Sequence, residues 1–311
     1  MKTLVEPETA GDPMSERKWR RSSLRHLSQQ LGQKVSHTTV GRLLGALDYS
    51  LKVNVKRLTG KPHPDRDAQF AYLEQQKQAF LQAGLPVISV DTKKKELIGN
   101  FKNPGRRWCQ TADAVNEHDF EQDALGKAVP YGLYDLAHHR GYVYVGRSAD
   151  TPQFAVEMIA NWWRTFGRQD FPSAAKLLIL CDAGGSNDCR PRGWKQQVQE
   201  LLADQLGLEV TVCHYPTGAS KWNPIEHRLF GPISINWAGH PLCTFETMLA
   251  LIRGTVTETG LNVEAFLVDK VYATGLKVAD AVMKSLNLER HVVCPNWNYT
   301  IRPRGMDPVP T

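Results

Sequence analysis

The sequence predicts a mixed α/β domain preceded by a small all-α region, and three observations carry that expectation. Two short apolar runs, Val87-Ile88-Ser89-Val90-Asp91 and Leu177-Leu178-Ile179-Leu180-Cys181-Asp182, each end in an acid, the second just ahead of Gly184-Gly185. Runs of this length bounded by turn residues read as buried strands of a parallel sheet. Between and after them lie helix-period stretches, and strand, helix, strand in alternation is the pattern of a mixed sheet covered by helices. The first 60 residues instead carry two short amphipathic helical patterns. The expected layout is therefore a small all-α region over 1–60, a basic linker and helix over 61–84, and a mixed α/β domain over 85–311.

Residues 1–14, with prolines among acidic residues, read as a flexible arm. Leu24, Leu27 and Leu31 fall at helical spacing before Gly32. Ser36 is a plausible N-cap for a second helix whose apolar face is Val40, Leu43, Leu44 and Leu47. Two such helices around a glycine-containing turn resemble a helix-turn-helix, in which His37, Thr38, Thr39 and Arg42 would meet base edges. Two helices are too few for a core of their own, so the Trp19 region or further sequence would complete it. Basic clusters flank them: Arg17, Lys18, Arg20, Arg21 and Arg25 on one side, Lys52, Lys56, Arg57 and Lys61 on the other. The plainer alternative is a helical hairpin with a solvated basic face.

A helix follows over Asp67–Ala83, burying Phe70, Leu73, Phe80 and Leu81, and Gly84 and Pro86 end it. After the Asp91 strand, 107–115 and 142–145 read as strands. Residues 151–166 read as a helix with Phe154, Met158, Trp162 and Phe166 toward the core. A helix through Val198, Leu201, Leu202 and Leu206 comes after the Asp182 strand, then a strand over 208–213. In Asn223-Pro224-Ile225-Glu226 the asparagine suits an N-cap and proline the first helical position, which puts Glu226 in the first turn. A helix over 244–256 follows, and the stretch from Cys294 to Pro303 reads as irregular.

Composition narrows the function. The chain is 41% hydrophobic and 23% charged, as in a water-soluble globular protein. No stretch approaches the roughly 18 apolar residues of a membrane span, and no signal-peptide core is visible, which places the protein in the cytoplasm. The formal charge of +6 favours a polyanionic partner. Six scattered cysteines contain no C-x-x-C pair, so neither a zinc site nor a disulfide framework is expected. The G-x-x-x-x-G-K-[ST] phosphate loop is missing from Asp182-Ala183-Gly184-Gly185-Ser186, and ATP is not implied.

If the Asp91 and Asp182 strands are neighbours, about 4.8 Å separates their backbones and both carboxylates converge on one edge of the sheet. A helix beginning at Asn223 can bring Glu226 over the same edge. Taken singly, each acid has a plainer role: Asp91 and Asp182 as turn formers, Glu226 as a capping-box partner. Together they repel unless a cation neutralises them, and hard oxygen ligands favour Mg2+ or Mn2+. Two such ions suit phosphodiester chemistry, with Asp91 bridging both and Asp182 and Glu226 holding one each. Lys93, Lys94, Lys95, Lys221 and Arg228 lie where they can meet phosphates. Asn187, Asn223 and His227 are candidates for orienting the carboxylates. His138 and His139 read as surface loop residues.

The strings DTKKKELIGNFKNPG, CDAGGSN, CHYPTGASKWNPIEHRLF and WNYTIRP resemble the Rhodopirellula-type (ISAzo-type) DDE transposases of bacterial insertion sequences. The resemblance runs from about Leu4 to Pro303. It implies an RNase H-like catalytic fold, binding of element ends, and metal-dependent strand cleavage and joining. Matched by position, the D, D and E of that pattern are Asp91, Asp182 and Glu226. Relatives usually carry more sequence before Leu4-Val5-Glu6-Pro7, so the front of the end-recognition region is expected to be incomplete here. The resemblance implies double-stranded DNA as partner, both element ends and target, and a homodimer, because two ends must be joined. Two other readings share these residues: a truncated relic that binds DNA without cutting it, and a metal-dependent nuclease without a joining step.

Overall fold

The computed structural model describes residues 10–11, 18–19, 23–31, 35–50, 63–219 and 222–305. The chain divides into two compact units, Met1–Thr59 and Gly60–Thr311. In the first, β1 (Ala10–Gly11) pairs antiparallel with β2 (Lys18–Trp19). Two helices follow, α1 (Leu24–Gln30) and α2 (His37–Ala46). Each starts at a serine cap: Ser23 accepts from His26 N at 3.2 Å and Ser36 from Thr39 N at 3.2 Å. Leu27 and Val40 are buried. Leu43 is exposed, so the apolar face expected for α2 is narrower than its spacing implied. The Gly32 stop and the basic stretch 51–62 lie outside the described residues.

The second unit is a nine-stranded mixed sheet. Its strands are β3 (Val87–Thr92), β4 (Glu96–Ile98), β5 (Gly126–Asp135), β6 (Arg140–Gly146), β7 (Lys176–Cys181), β8 (Glu209–His214), β9 (Asn262–Val268), β10 (Leu288–Arg290) and β11 (Asn298–Ile301). They lie in the order β10-β11-β8-β7-β3-β5-β6-β9, with β4 paired to β5 off this path. β3, β5 and β6 form an antiparallel meander, and β7 and β8 run parallel to β3. Numbered in chain order, these five central strands read 3-2-1-4-5 across the sheet, the RNase H-like arrangement.

Strand alternation sorts the two faces. Ile88 and Val90 of β3, Tyr131 and Leu133 of β5, and Leu177 and Ile179 of β7 point into one core. That core is closed by α4 (Pro152–Trp162) and by α5 (Arg192–Gln197) with its π-helical continuation Val198–Asp204. Phe154, Met158 and Trp162 are buried there, as core residues. The opposite face receives α3 (Arg66–Gln82), whose Leu73 packs with Val87, Leu178 and Leu180. Gln69 of α3 is fully buried: Nε2 donates to His214 O and Asn298 Oδ1, both at 2.8 Å, and Asn298 Nδ2 donates back to Gln69 Oε1 at 2.6 Å. The same face carries the helical segment holding Glu226, a π turn Glu226–Phe230 running into α6 (Gly231–Asn236), and α7 (Phe245–Arg253). A short helix α8 (Asp280–Lys284) precedes β10.

Two expectations for this unit are corrected. Residues 107–115 form no strand, and Trp108 is fully exposed: the run has apolar residues but no neighbouring strand to pair with. The terminal stretch is not irregular, because Asn298–Ile301 pairs antiparallel with β8. β5, the longest strand, escaped notice because Gly126, Pro130 and Gly132 interrupt its apolar pattern.

Candidate active site

Asp91 occupies the penultimate position of β3, and Asp182 directly follows β7. Val90 stands opposite Cys181 in the parallel register, so the two aspartates are the next step along neighbouring strands. Alternation also gives them one side of the sheet. Ser89 and Asp91 follow Val87, and Asp182 follows Leu178 and Leu180, on the face that carries α3 and the Glu226 segment.

Two glycines let that segment lie flat on the sheet. A Cβ on Gly132, the residue opposite Asp91, would fall 2.5 Å from Phe230 Cε1 and 3.0 Å from Ile225 Cδ1. On Gly141 it would fall 2.3 Å from Leu229 Cδ1. Asn223 stands at the expected N-cap position, just before the first helical residue Pro224, but its side chain bonds the sheet in place of the helix's own N–H groups. Its buried side chain bonds Ser89 Oγ through Oδ1 and reaches Val90 O at 3.4 Å through Nδ2. Ser89 Oγ in turn accepts from Ile225 N at 3.1 Å. The cap is therefore supplied by the strand that carries Asp91.

Electrostatics link the acids: Asp182 and Glu226 both act on Asp91, and Glu226 acts on Asp182. Burial pushes the Asp91 carboxyl well above the usual range, and Asp182, Glu226 and Asp150 add to the rise. Thr92 N works against it by donating to Asp91 Oδ1 at 2.7 Å. Asp182 is pushed up to about 6, first by burial and then by Glu226 and Asp188, with a Gly184 backbone bond opposing. Asp182 Oδ1 is buried without a hydrogen-bond partner. A buried acceptor left empty among mutually repelling carboxylates is what a divalent cation satisfies, so the donor set fits Mg2+ or Mn2+.

Among the described residues the tightest group of potential ligands lies elsewhere: Asp135, His138 and Asp170 bring ligand atoms within 4.8 Å of one another. Its members are already engaged. Asp135 accepts from Ala137 N at 2.9 Å and pairs with His138 Nδ1 at 2.8 Å, while Asp170 pairs with Arg140 at 3.1 Å. The group fastens the β5–β6 turn. His139 beside it is half-buried and bonded to Tyr134 and Thr259.

The remaining candidates divide. Asn187 is buried below the Asp182 loop. Its Oδ1 accepts from Tyr131 Oη at 2.9 Å, and its carbonyl and His214 Nε2 are 2.9 Å apart. Lys93 is only 11% exposed in its side chain, with Nζ 4.6 Å from the Trp237 ring centroid. Burial lowers its pKa, opposed by Glu96 and Glu226, so it feels the Glu226 charge while sheltered from solvent. Lys94 and Lys95 are exposed, Lys94 3.9 Å from Glu96. His227 and Arg228 are exposed on the Glu226 segment, and the Arg228 charge reaches the Tyr134 phenol. His37, Thr38 and Arg42 are exposed on α2 and Thr39 is half-buried. Lys52, Lys56, Arg57 and Lys221 lie outside the described residues. Asp150 was not anticipated: it accepts from Thr92 Oγ1 at 3.1 Å and acts on Asp91. Its position in a loop without periodicity gave no signal.

The model of the Rhodopirellula transposase DDE domain family matches residues 1–303. The chain belongs to this family. No curated protein sequence matches the chain. Among solved structures, this DDE-domain chain is similar to the Mos1 transposase paired-end complex with left transposon end at 16% identity, covering 73% of this chain and 64% of that one with a TM-score of 0.44. A pre-cleavage Mos1 transpososome shares 15% identity over 73% of this chain and 64% of that one, with a TM-score of 0.46. The mariner Mos1 paired end complex with Mg shares 15% identity over the same fractions at 0.45. The chain thus spans about 64% of the length of the solved structures it matches.

Proposed function

We propose that this DDE-domain protein is a DNA transposase that cleaves the ends of an insertion sequence and joins them to target DNA. The observation that carries the proposal is the convergence of Asp91, Asp182 and Glu226 at the ends of two neighbouring parallel strands, with an unsatisfied buried carboxylate oxygen among them. We take the three acids as ligands for Mg2+ or Mn2+, two ions in all. The bound cations supply Lewis-acid stabilisation of charge on the phosphoryl oxygens and lower the pKa of an attacking water.

The chain's own part is placement. Thr92 N orients Asp91, and Ser89 and Asn223 tie the Glu226 segment to the strand that presents Asp91. Asn187 and His214 brace the loop after Asp182. Lys93 offsets part of the negative charge at Glu226. Water attack on an end phosphodiester breaks the P–O bond and leaves a 3′-hydroxyl. That hydroxyl then attacks a target phosphodiester, exchanging one P–O bond for another, so no energy cofactor is needed. We assign the first 60 residues to DNA recognition, with His37, Thr38, Thr39 and Arg42 toward bases and Lys52, Lys56 and Arg57 toward phosphates; the linker begins at residue 61 and the catalytic domain at 85. Lys94, Lys95, Lys221 and Arg228 would hold backbone near the acids, and His227 would steady Glu226. A homodimer on two ends, acting in the cytoplasm at the nucleoid, fits this task. No described helix is long and apolar enough to cross a membrane.

The test is nicking of a plasmid carrying the parent element's ends, with Mg2+ or Mn2+, beside Asp182→Ala. Cuts at the ends that need metal and vanish in the variant are expected. Equal cutting by the variant would refute the assignment, and cuts without joined products would reduce the activity to that of a nuclease.

A further inference from the structure

A polar pocket of about 540 Å³ lies beside the Asp182 loop, lined by Ala183, Asp188, Arg190, Lys195, Arg290 and Trp297 among others. It has an unusual charge balance. The one carboxylate in that set, Asp188, is taken by Arg190, whose Nε and Nη2 donate to it at 2.9 and 2.6 Å. Lys195, only 6% exposed, donates to the carbonyl of Cys189 and sits 5.6 Å from the Tyr299 ring centroid. Arg290 donates from Nη1 to Pro295 O at 2.8 Å and to Asn296 Oδ1 at 3.0 Å. Among the described residues neither Lys195 nor Arg290 has a carboxylate partner.

Burying a lysine opposite an arginine, with only neutral acceptors for both, is costly unless an anion enters. Burial and the Arg290 charge lower the Lys195 pKa, opposed by Cys189 and by Asp188, whose carboxylate is already held by Arg190. The expected guest carries negative charge, accepts several hydrogen bonds, and sits one residue from Asp182. A phosphate group meets all three conditions.

We infer that this pocket holds a backbone phosphate of the DNA strand that passes the catalytic edge, gripped by Lys195 and Arg290 with Trp297 as its apolar wall. The inference rests on the transposase reading, which supplies DNA as the source of the phosphate. A free phosphate ion would present the same chemistry, and the experiment separates the two.

The whole 311-residue chain is titrated with a short DNA duplex across a range of salt concentrations. Arg290→Gln, an exposed change, and Lys195→Met are compared with wild type and with Arg304→Gln, whose partner Asp204 lies outside the pocket. Each lost phosphate contact should flatten the slope of log affinity against log salt by about 0.9 on duplex DNA, uniformly across sequences. Arg304→Gln should leave the slope unchanged. A role confined to bracing the Cys189 loop would lower stability without moving the slope, so an unchanged slope for Arg290→Gln overturns the inference even if Lys195→Met fails to fold. Calorimetry with inorganic phosphate is the second arm. Phosphate binding lost in both variants, with an unchanged DNA slope, would make the pocket a small-anion site and overturn its assignment to DNA. Wild type that binds no DNA would remove the transposase reading and this inference together, an outcome distinct from either of the others.

Discussion

Gly132→Ala is the sharpest probe of how the fold makes the site. The new Cβ would lie 2.5 Å from Phe230 Cε1, where ordinary contact begins at 3.4 Å, so the ring must retreat by about 0.9 Å. Neither Phe230 nor Ile225 can swing away into solvent, at 3% and 0% exposure. The retreat therefore displaces the segment that carries Glu226. Overpacking of this kind costs about 1–3 kcal/mol, which for a domain of this size lowers Tm by roughly 2–4 °C per kcal/mol. Misplacing a reacting group by about 1 Å costs on the order of 100-fold in rate. The assay is metal-dependent nicking by the folded variant well below its Tm, with Asp182→Ala as the floor. Adding Phe230→Leu, which removes the ring atom that is struck, should recover part of the rate. Wild-type activity and an unchanged Tm for Gly132→Ala would refute the claim that this contact positions Glu226.

Three further outcomes are expected. In metal-free protein the raised Asp182 carboxyl works against folding: the native state keeps a proton that the unfolded chain loses, so stability falls as pH rises from 3.8 to about 6 and the penalty is complete above that. Asp182→Asn should therefore raise Tm relative to wild type at pH 7 but not below pH about 3.8, and Mg2+ should raise the wild-type Tm mainly at neutral pH, as thermal melts with and without EDTA would show. Ser89→Ala strands the buried Ile225 N–H and the Asn223 side chain, which should cost about 1–3 kcal/mol in urea unfolding and slow nicking as well. Gly45→Ala on α2, with nothing within 4 Å of its new Cβ, should stabilise that helix by about 0.5–1 kcal/mol, seen as a few-fold slower amide exchange over residues 37–46.

Much of the second unit was legible because its strands and helices are local patterns. The runs ending at Asp91 and Asp182 are buried apolar strands, and periodicity alone marks them. The helix of Phe154, Met158 and Trp162 is equally plain, since one stripe of large side chains must face a core. β5 and β11 were not legible. Gly132 and Pro130 look like strand breakers until a helix is seen to need the space above the glycine, and Asn298 looks like a loop residue until Gln69 is found bonded to it. The false strand at 107–115 is the converse, an apolar local pattern with nothing opposite to pair it.

By itself, then, the sequence determined which residue types the proposed chemistry would use, because a carboxylate at the end of a buried strand is visible in one dimension. Only the tertiary structure decided which of them meet. Register brings Asp91 beside Asp182, two glycines let the Glu226 segment settle over β5 and β6, and Ser89 supplies the cap that Asn223 was expected to give. The tertiary structure also brought in Asp150 and the Lys195–Arg290 pocket, whose members are far apart in the chain and carry no local signature. The physical reason is range: periodicity and turn chemistry act over a few residues, while charge, close packing and hydrogen bonds among buried groups depend on distances that only the folded chain fixes.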